Sequence, residues 1–195
     1  DGFWRESNDY DVPKPPHLDD ETATVHRSKS NYSVENSGEE SHGFTLGASY
    51  LLDNGYIGVS AGNLDRQYGI PGHSHGSDDH ESSPDNVYAD LQQSRYQLLS
   101  ELNFDEGFVS TVNIKASYTD YKHAEIEAGI TGTDFANTTK EIRADILHHP
   151  LAQWRGGLSI HFKESAMEAT GSEAFTPQSI TKMAALALMQ ERHFD

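Results

Sequence analysis

Phe108-Val109-Ser110-Thr111-Val112-Asn113-Ile114-Lys115-Ala116-Ser117-Tyr118-Thr119 is the stretch whose pattern decides the fold. Phe108, Val112, Ile114, Ala116 and Tyr118 occupy even positions, and Thr111, Asn113, Lys115, Ser117 and Thr119 occupy odd ones. Side chains two apart share a face of a strand, so this is a strand with one apolar and one polar face. The alternating segment runs to about Glu127, and no turn signal interrupts it from Phe108 to Tyr121. The same alternation recurs in Phe44 to Leu52, Ile57 to Ala61, Tyr96 to Phe104, Ile142 to Ile146 and Leu158 to Phe162. The Ala- and Leu-rich segment from Ile180 to Met189 could form a helix by propensity, but its place in the series predicts a strand. With the opening segment from Gly2 to Ser7, the pattern predicts an all-β chain of about eight antiparallel strands.

The connections sort by length. Asp53-Asn54-Gly55, Asp105-Glu106-Gly107 and His149-Pro150-Leu151-Ala152 read as short turns. Long polar stretches lie between them: Asn8 to Ser41, Asp65 to Asn86, His123 to Thr138 and Glu164 to Gln178. A soluble sandwich shares the alternation but seldom sorts its loops by side. Outer-membrane barrels combine short periplasmic turns with long extracellular loops, and about 9–11 tilted residues per strand cross the bilayer. The expected fold is therefore a meander forming part of a transmembrane β-barrel. Asn113, Lys115, Ser117, Arg143, Asp145, Ser159, His161 and Lys163 would face its wet interior.

Composition narrows the function. The 195 residues carry 14 Lys and Arg against 31 Asp and Glu, a formal charge of −17. Such a chain lacks the basic face that meets nucleic-acid phosphate, so no nucleic acid is expected as partner. With no cysteine, disulfide scaffolds and thiolate zinc sites are excluded. No apolar run reaches the roughly 18–20 residues of a membrane helix. The chain opens Asp1-Gly2-Phe3-Trp4 without an initiator Met, and reads as a piece of a longer protein. No nucleophile elbow, phosphate-cradling glycine loop or H-E-x-x-H helix is present, and an enzyme is not expected.

Two clusters could hold a metal. His73, His75, Asp78, Asp79, His80 and Glu81 place three imidazoles and three carboxylates within nine positions. Imidazole with neighbouring carboxylates suits a divalent transition metal, and Gly72 and Gly76 keep the backbone adjustable. His123, Glu125 and Glu127 follow at two-residue spacing, with Tyr121, and so share a strand face. They continue the polar odd face and would line the interior near its extracellular mouth. A hydrophilic loop and an ordinary polar row are the plainer readings of the two clusters. Asp19-Asp20-Glu21 and Glu39-Glu40 read as solvated charge.

Asp9-Tyr10-Asp11-Val12-Pro13, Gly55-Tyr56-Ile57-Gly58-Val59-Ser60 and Gln67-Tyr68-Gly69-Ile70-Pro71-Gly72-His73-Ser74-His75 resemble TonB-dependent outer-membrane receptors of the zinc-uptake type. Tyr121-Lys122-His123-Ala124-Glu125 and Glu141-Ile142-Arg143-Ala144-Asp145 are similar to the same group. The resemblance spans residues 1–195 as a barrel segment without the plug domain or closing strands. It implies a 22-stranded barrel in the outer membrane of a Gram-negative bacterium. Zn2+ or a related metal would be the transported substrate, and outer-membrane lipid would surround the barrel. An inner-membrane energy-coupling protein would act through the missing plug. On this resemblance the His73–Glu81 loop corresponds to a metal-capturing loop. Glu125, with His123 beside it, corresponds to a lumenal zinc carboxylate. A small eight-stranded barrel serving adhesion or structure is the alternative.

Overall fold

The computed structural model describes residues 1–13, 32–71, 87–172 and 174–192. The strands in chain order are β1 Gly2–Ser7, β2 Asp11–Val12, β3 Tyr32–Ser33, β4 Glu39–Leu52 and β5 Gly55–Gly69. They continue with β6 Tyr88–Asn103, β7 Val109–Glu127, β8 Ile130–Leu151, β9 Trp154–Gly171 and β10 Ser179–Arg192. One antiparallel meander runs β1-β4-β5-β6-β7-β8-β9-β10, while β2 and β3 pair separately. The eight expected strands are the eight of this sheet, and Ile180 to Met189 is strand. The sheet is open, because β1 and β10 each have a single neighbour.

Antiparallel order sets the edges. The turns after β4, β6 and β8 lie at 53–54, 104–108 and 152–153 on one edge, the edge the sequence implied. The third falls later than the expected His149–Ala152, because β8 continues through a register shift to Leu151. On the other edge lie the connections 8–38, 70–87, 128–129 and 172–178. Here the structure corrects the sequence reading. The stretch from His123 to Thr138 is not a loop: β7 continues to Glu127, and β8 begins at Ile130 after a two-residue turn. Ala128 and Gly129 both take positive φ, 48° and 79°. That pairing matches the right-handed twist of a hairpin, but Ala seldom adopts it, so the turn left little mark in the sequence. The following Thr131, Thr133, Thr138 and Thr139 are polar yet strand-forming through β-branching. Strand β9 likewise runs to Gly171, leaving only 172–178 of the expected Glu164 to Gln178 connection. The length contrast between edges therefore rests on 8–38 and 70–87.

Register carries the apolar positions into continuous rows. Leu52, Leu102, Val112, Ile146, Leu158 and Leu188 align beside the short turns. Ile57, Ile114, Ala144, Ile160 and Leu186 form the next row, with Tyr50 and Ser100 in it. Two rows further on the band ends at Tyr96 and Tyr118, whose rings lie 6.3 Å apart, and at Lys140, Glu164 and Lys182. Beyond them the next row on the same face is polar in β5 to β8, with Asn63, Ser94, Asp120 and Thr138, while β4, β9 and β10 place Phe44, Ala166 and Ile180 in it.

No second layer covers this band among the described residues. Leu46 is 69% exposed, and Leu186 and Leu188 are each 72% exposed. Val87 and Ala89 are the buried apolar side chains among the described residues, one just before β6 and one at its start. A sheet with one apolar face normally buries it against another element.

The β7–β8 hairpin gives a direct check. Gly129→Val forces a β-branched residue to positive φ and should destabilise the chain by about 1–2 kcal/mol, whereas Ala128→Asn should be neutral or stabilising. Denaturant titration of the two variants measures the difference.

Candidate functional site

The six residues His73, His75, Asp78, Asp79, His80 and Glu81 lie outside the described residues. Their flanks do not. Strand β5 ends at Gly69 and β6 begins at Tyr88, and the Ile70 N–H donates to the Val87 carbonyl at 2.9 Å. The two legs of the segment therefore meet at a closed neck on the long-connection edge.

His123 and Glu125 sit on β7, on the face that also carries Tyr121, Arg66 and Phe135. Residue 123 pairs with Leu91 on one side and Phe135 on the other. Its ring lies 5.5 Å from Phe135, 6.2 Å from Tyr68 and 6.3 Å from Tyr121, centroid to centroid. Nδ1 is 3.4 Å from the Tyr121 hydroxyl, while Nε2 is buried without a hydrogen-bond partner. Nearby, the Arg66 guanidinium stacks on Tyr68 at 5.0 Å and grips Glu39 at 2.6 Å. The imidazole is thus packed among rings with one nitrogen engaged and the other enclosed. Glu125 shares its face, paired with Ala89 and Thr133. Glu127 ends the strand beyond a register shift, beside the Ala128-Gly129 turn. Among the described residues, no three His, Cys, Asp or Glu side chains come together as a group that could hold a metal ion.

Lower on the same face runs a polar ladder. Arg143 Nε donates to Asp145 at 3.0 Å, and His161 Nε2 donates to Glu141 at 2.7 Å. Asn137, Thr139 and Ser165 bond to one another. These rows belong to the polar side chains that the alternation assigned to one face. Their contacts are mutual and part-exposed, which suits a hydrated wall better than a catalytic constellation.

Sequence reasoning missed an extended hydrogen-bond network among the described residues, between β1 and β4. Asp9 Oδ1 accepts the backbone N–H groups of Ser37 at 2.7 Å and Gly38 at 2.9 Å, and Oδ2 accepts that of Asn36 at 3.3 Å. The Ser37 hydroxyl donates to the Val34 carbonyl at 2.6 Å and accepts the Tyr10 N–H at 3.0 Å. Asn36 holds φ at 59° and donates its side-chain amide to Ile70 O at 3.1 Å and Val87 O at 2.6 Å. The signal was there in kind, since Asp and Asn stabilise turns through backbone bonds. The partners of the Asp9 and Asn36 side chains are 27 to 51 residues away, so no local pattern could pair them.

No family model matches the chain.

The Asp9 carboxyl is held below its usual range, chiefly by the Ser37 N–H, with further help from those of Gly38 and Asn36 and from the Ser37 hydroxyl. The native knot therefore favours the carboxylate. Its contribution is complete above the ordinary aspartate value of about 3.9 and is lost as pH falls through the lowered native value. The Ser37 and Gly38 amide resonances should accordingly stay unchanged from about pH 8 to pH 5 and shift only below about pH 3.9.

Proposed function

We propose that the chain is a wall segment of an outer-membrane β-barrel of the TonB-dependent receptor type, serving uptake of zinc or a related transition metal. The observation that carries this reading is the exposed apolar band across neighbouring strands, with no covering layer among the described residues. In water such a face is a heavy liability. In a bilayer it meets acyl chains, and every interior strand has a hydrogen-bonded neighbour on each side.

Three features support the assignment. Strands β4 to β10 run from 14 to 22 residues, more than the 9–11 or so that a tilted crossing needs. The apolar band closes on a Tyr96–Tyr118 pair, the amphipathic ring type that favours a membrane–water boundary. The polar ladder occupies the opposite face, where a barrel interior would be wet. Two free edges fit a partial wall better than the small closed barrel, which would join β1 to β10. On this reading outer-membrane lipid contacts Ile114, Leu158 and Ile160. A plug domain would fill the interior and connect to the inner-membrane energy-coupling protein.

The metal assignment rests on the resemblance and on the His73–Glu81 composition, with capture at the mouth and passage inward past Glu125. His123 would contribute only after its ring leaves the Tyr68, Tyr121 and Phe135 packing.

A paired substitution tests the face assignment. Ile114→Lys should cost roughly 2–4 kcal/mol of folding stability in bilayers, whereas Asn113→Lys should cost little. Equal folding yields for the two variants would remove the membrane reading.

A further inference from the structure

One part of the polar face departs from the acidic character of the chain. Gln93, Arg95 and Gln97 stand two residues apart on β6 and share that face with Thr119, which pairs with Arg95. In the three rows they define, β4 to β7 place no Asp or Glu on this face, although the chain carries 31 of them. Farther across the sheet cations meet carboxylates: Arg143 holds Asp145, His161 meets Glu141, and Lys163 pairs in register with Glu141. Arg95 is exposed, and its guanidinium has no hydrogen bond or ion pair among the described residues. The side-chain amides of Gln93 and Gln97 are likewise unpartnered among the described residues.

These three side chains border a hollow of about 340 Å3. Gly62 lines it as well, between Arg95 on β6 and Thr45 on β4. A Cβ at Gly62 would meet Thr45 Oγ1 at 2.7 Å, so a side chain there would crowd the space beside the guanidinium. Glycine within a strand often marks a place where another molecule approaches the backbone. Asp1 stands at the rim of the hollow and makes no ion pair with Arg95. The volume is at the small end of the range for small-molecule sites.

The donor set selects the ligand. A guanidinium offers a planar fork of N–H groups that matches the two oxygens of a carboxylate. Each glutamine amide both donates and accepts, as partners of a hydroxyl must. A single free cation in a chain of formal charge −17 favours a monoanion over a phosphate dianion. We propose that Gln93, Arg95 and Gln97 form a binding site for a small hydroxycarboxylate, with Arg95 taking the carboxylate and the glutamines its hydroxyls. The site stands on described strands and is independent of the metal reading. In the proposed barrel it opens on the wet interior.

The test is a nuclear magnetic resonance titration of the full chain in detergent micelles, following the Gly62 N–H in every variant and the Arg95 Nε–H in wild type. Gluconate supplies a carboxylate on a chain of hydroxyls, and sorbitol supplies the hydroxyls alone. Gluconate should shift both resonances saturably, and sorbitol and inorganic phosphate should bind about tenfold more weakly or not at all. Arg95→Gln should weaken gluconate about tenfold, while Arg95→Lys, which keeps the charge and loses the fork, should lose less. Gln93→Leu with Gln97→Leu should weaken gluconate severalfold and leave acetate, which has no hydroxyl, unchanged. Lys163→Gln removes a cation outside the hollow and should change nothing. Absence of saturable gluconate binding to the wild-type chain would overturn the site. Equal binding of sorbitol, or tighter binding of phosphate, would overturn the carboxylate assignment. Equal losses for Lys163→Gln and Arg95→Gln would show attraction to the charge of the whole wall, and would overturn the site as well.

Discussion

An apolar sheet face without a covering layer is the constraint on which the account depends. Each interior strand pairs with a neighbour on either side, but pairing does nothing for Leu46, Tyr50, Leu186 or Leu188. At about 25 cal/mol per Å² of apolar surface, leaving a band of this kind in water costs more than the few kcal/mol by which domains are stable. The apolar surroundings must come from outside the described residues. On the proposed reading a bilayer supplies them without a specific partner. In β6 to β8 the apolar positions of this face give way at the row of Tyr96, Tyr118 and Lys140 to Ser94, Asp120 and Thr138.

The polar side of the sheet has a different economy. Arg143 pairs with Asp145 along β8, and His161 pairs with Glu141 across β9 and β8; both pairs are part-exposed, so each adds little stability. At the long-connection edge the logic changes: Asp9 and Asn36 organise backbone groups from three parts of the chain, 36–38, Ile70 and Val87, and Val87 and Ala89 are buried beside them.

Much of the fold was legible in the sequence because period-two alternation is local. Val112, Ile114 and Ala116 declare their face within a few residues, and Asp53-Asn54-Gly55 declares its turn. The β7–β8 hairpin escaped because Ala128 supplies a conformation usually marked by Asn, Asp or Gly, and because Thr-rich polar strands look like loop. His123 and Glu125 were placed correctly on one polar face, but the aromatic ring packing around His123 involves Tyr68 and Phe135 from neighbouring strands. Packing of that kind depends on register, which a single sequence does not display. The same holds for Asn36, whose partners become neighbours only once β4, β5 and β6 are aligned.

Nitroxide labels placed one at a time from Val112 to Thr119, with the protein in lipid vesicles, test the central claim most directly. Collision with oxygen reports lipid, and collision with a water-soluble nickel chelate reports water. The account predicts a period of two: oxygen-rich sites at Val112, Ile114, Ala116 and Tyr118, and nickel-accessible sites at Asn113, Lys115 and Ser117. A uniform profile, or one with the two sets exchanged, would contradict it.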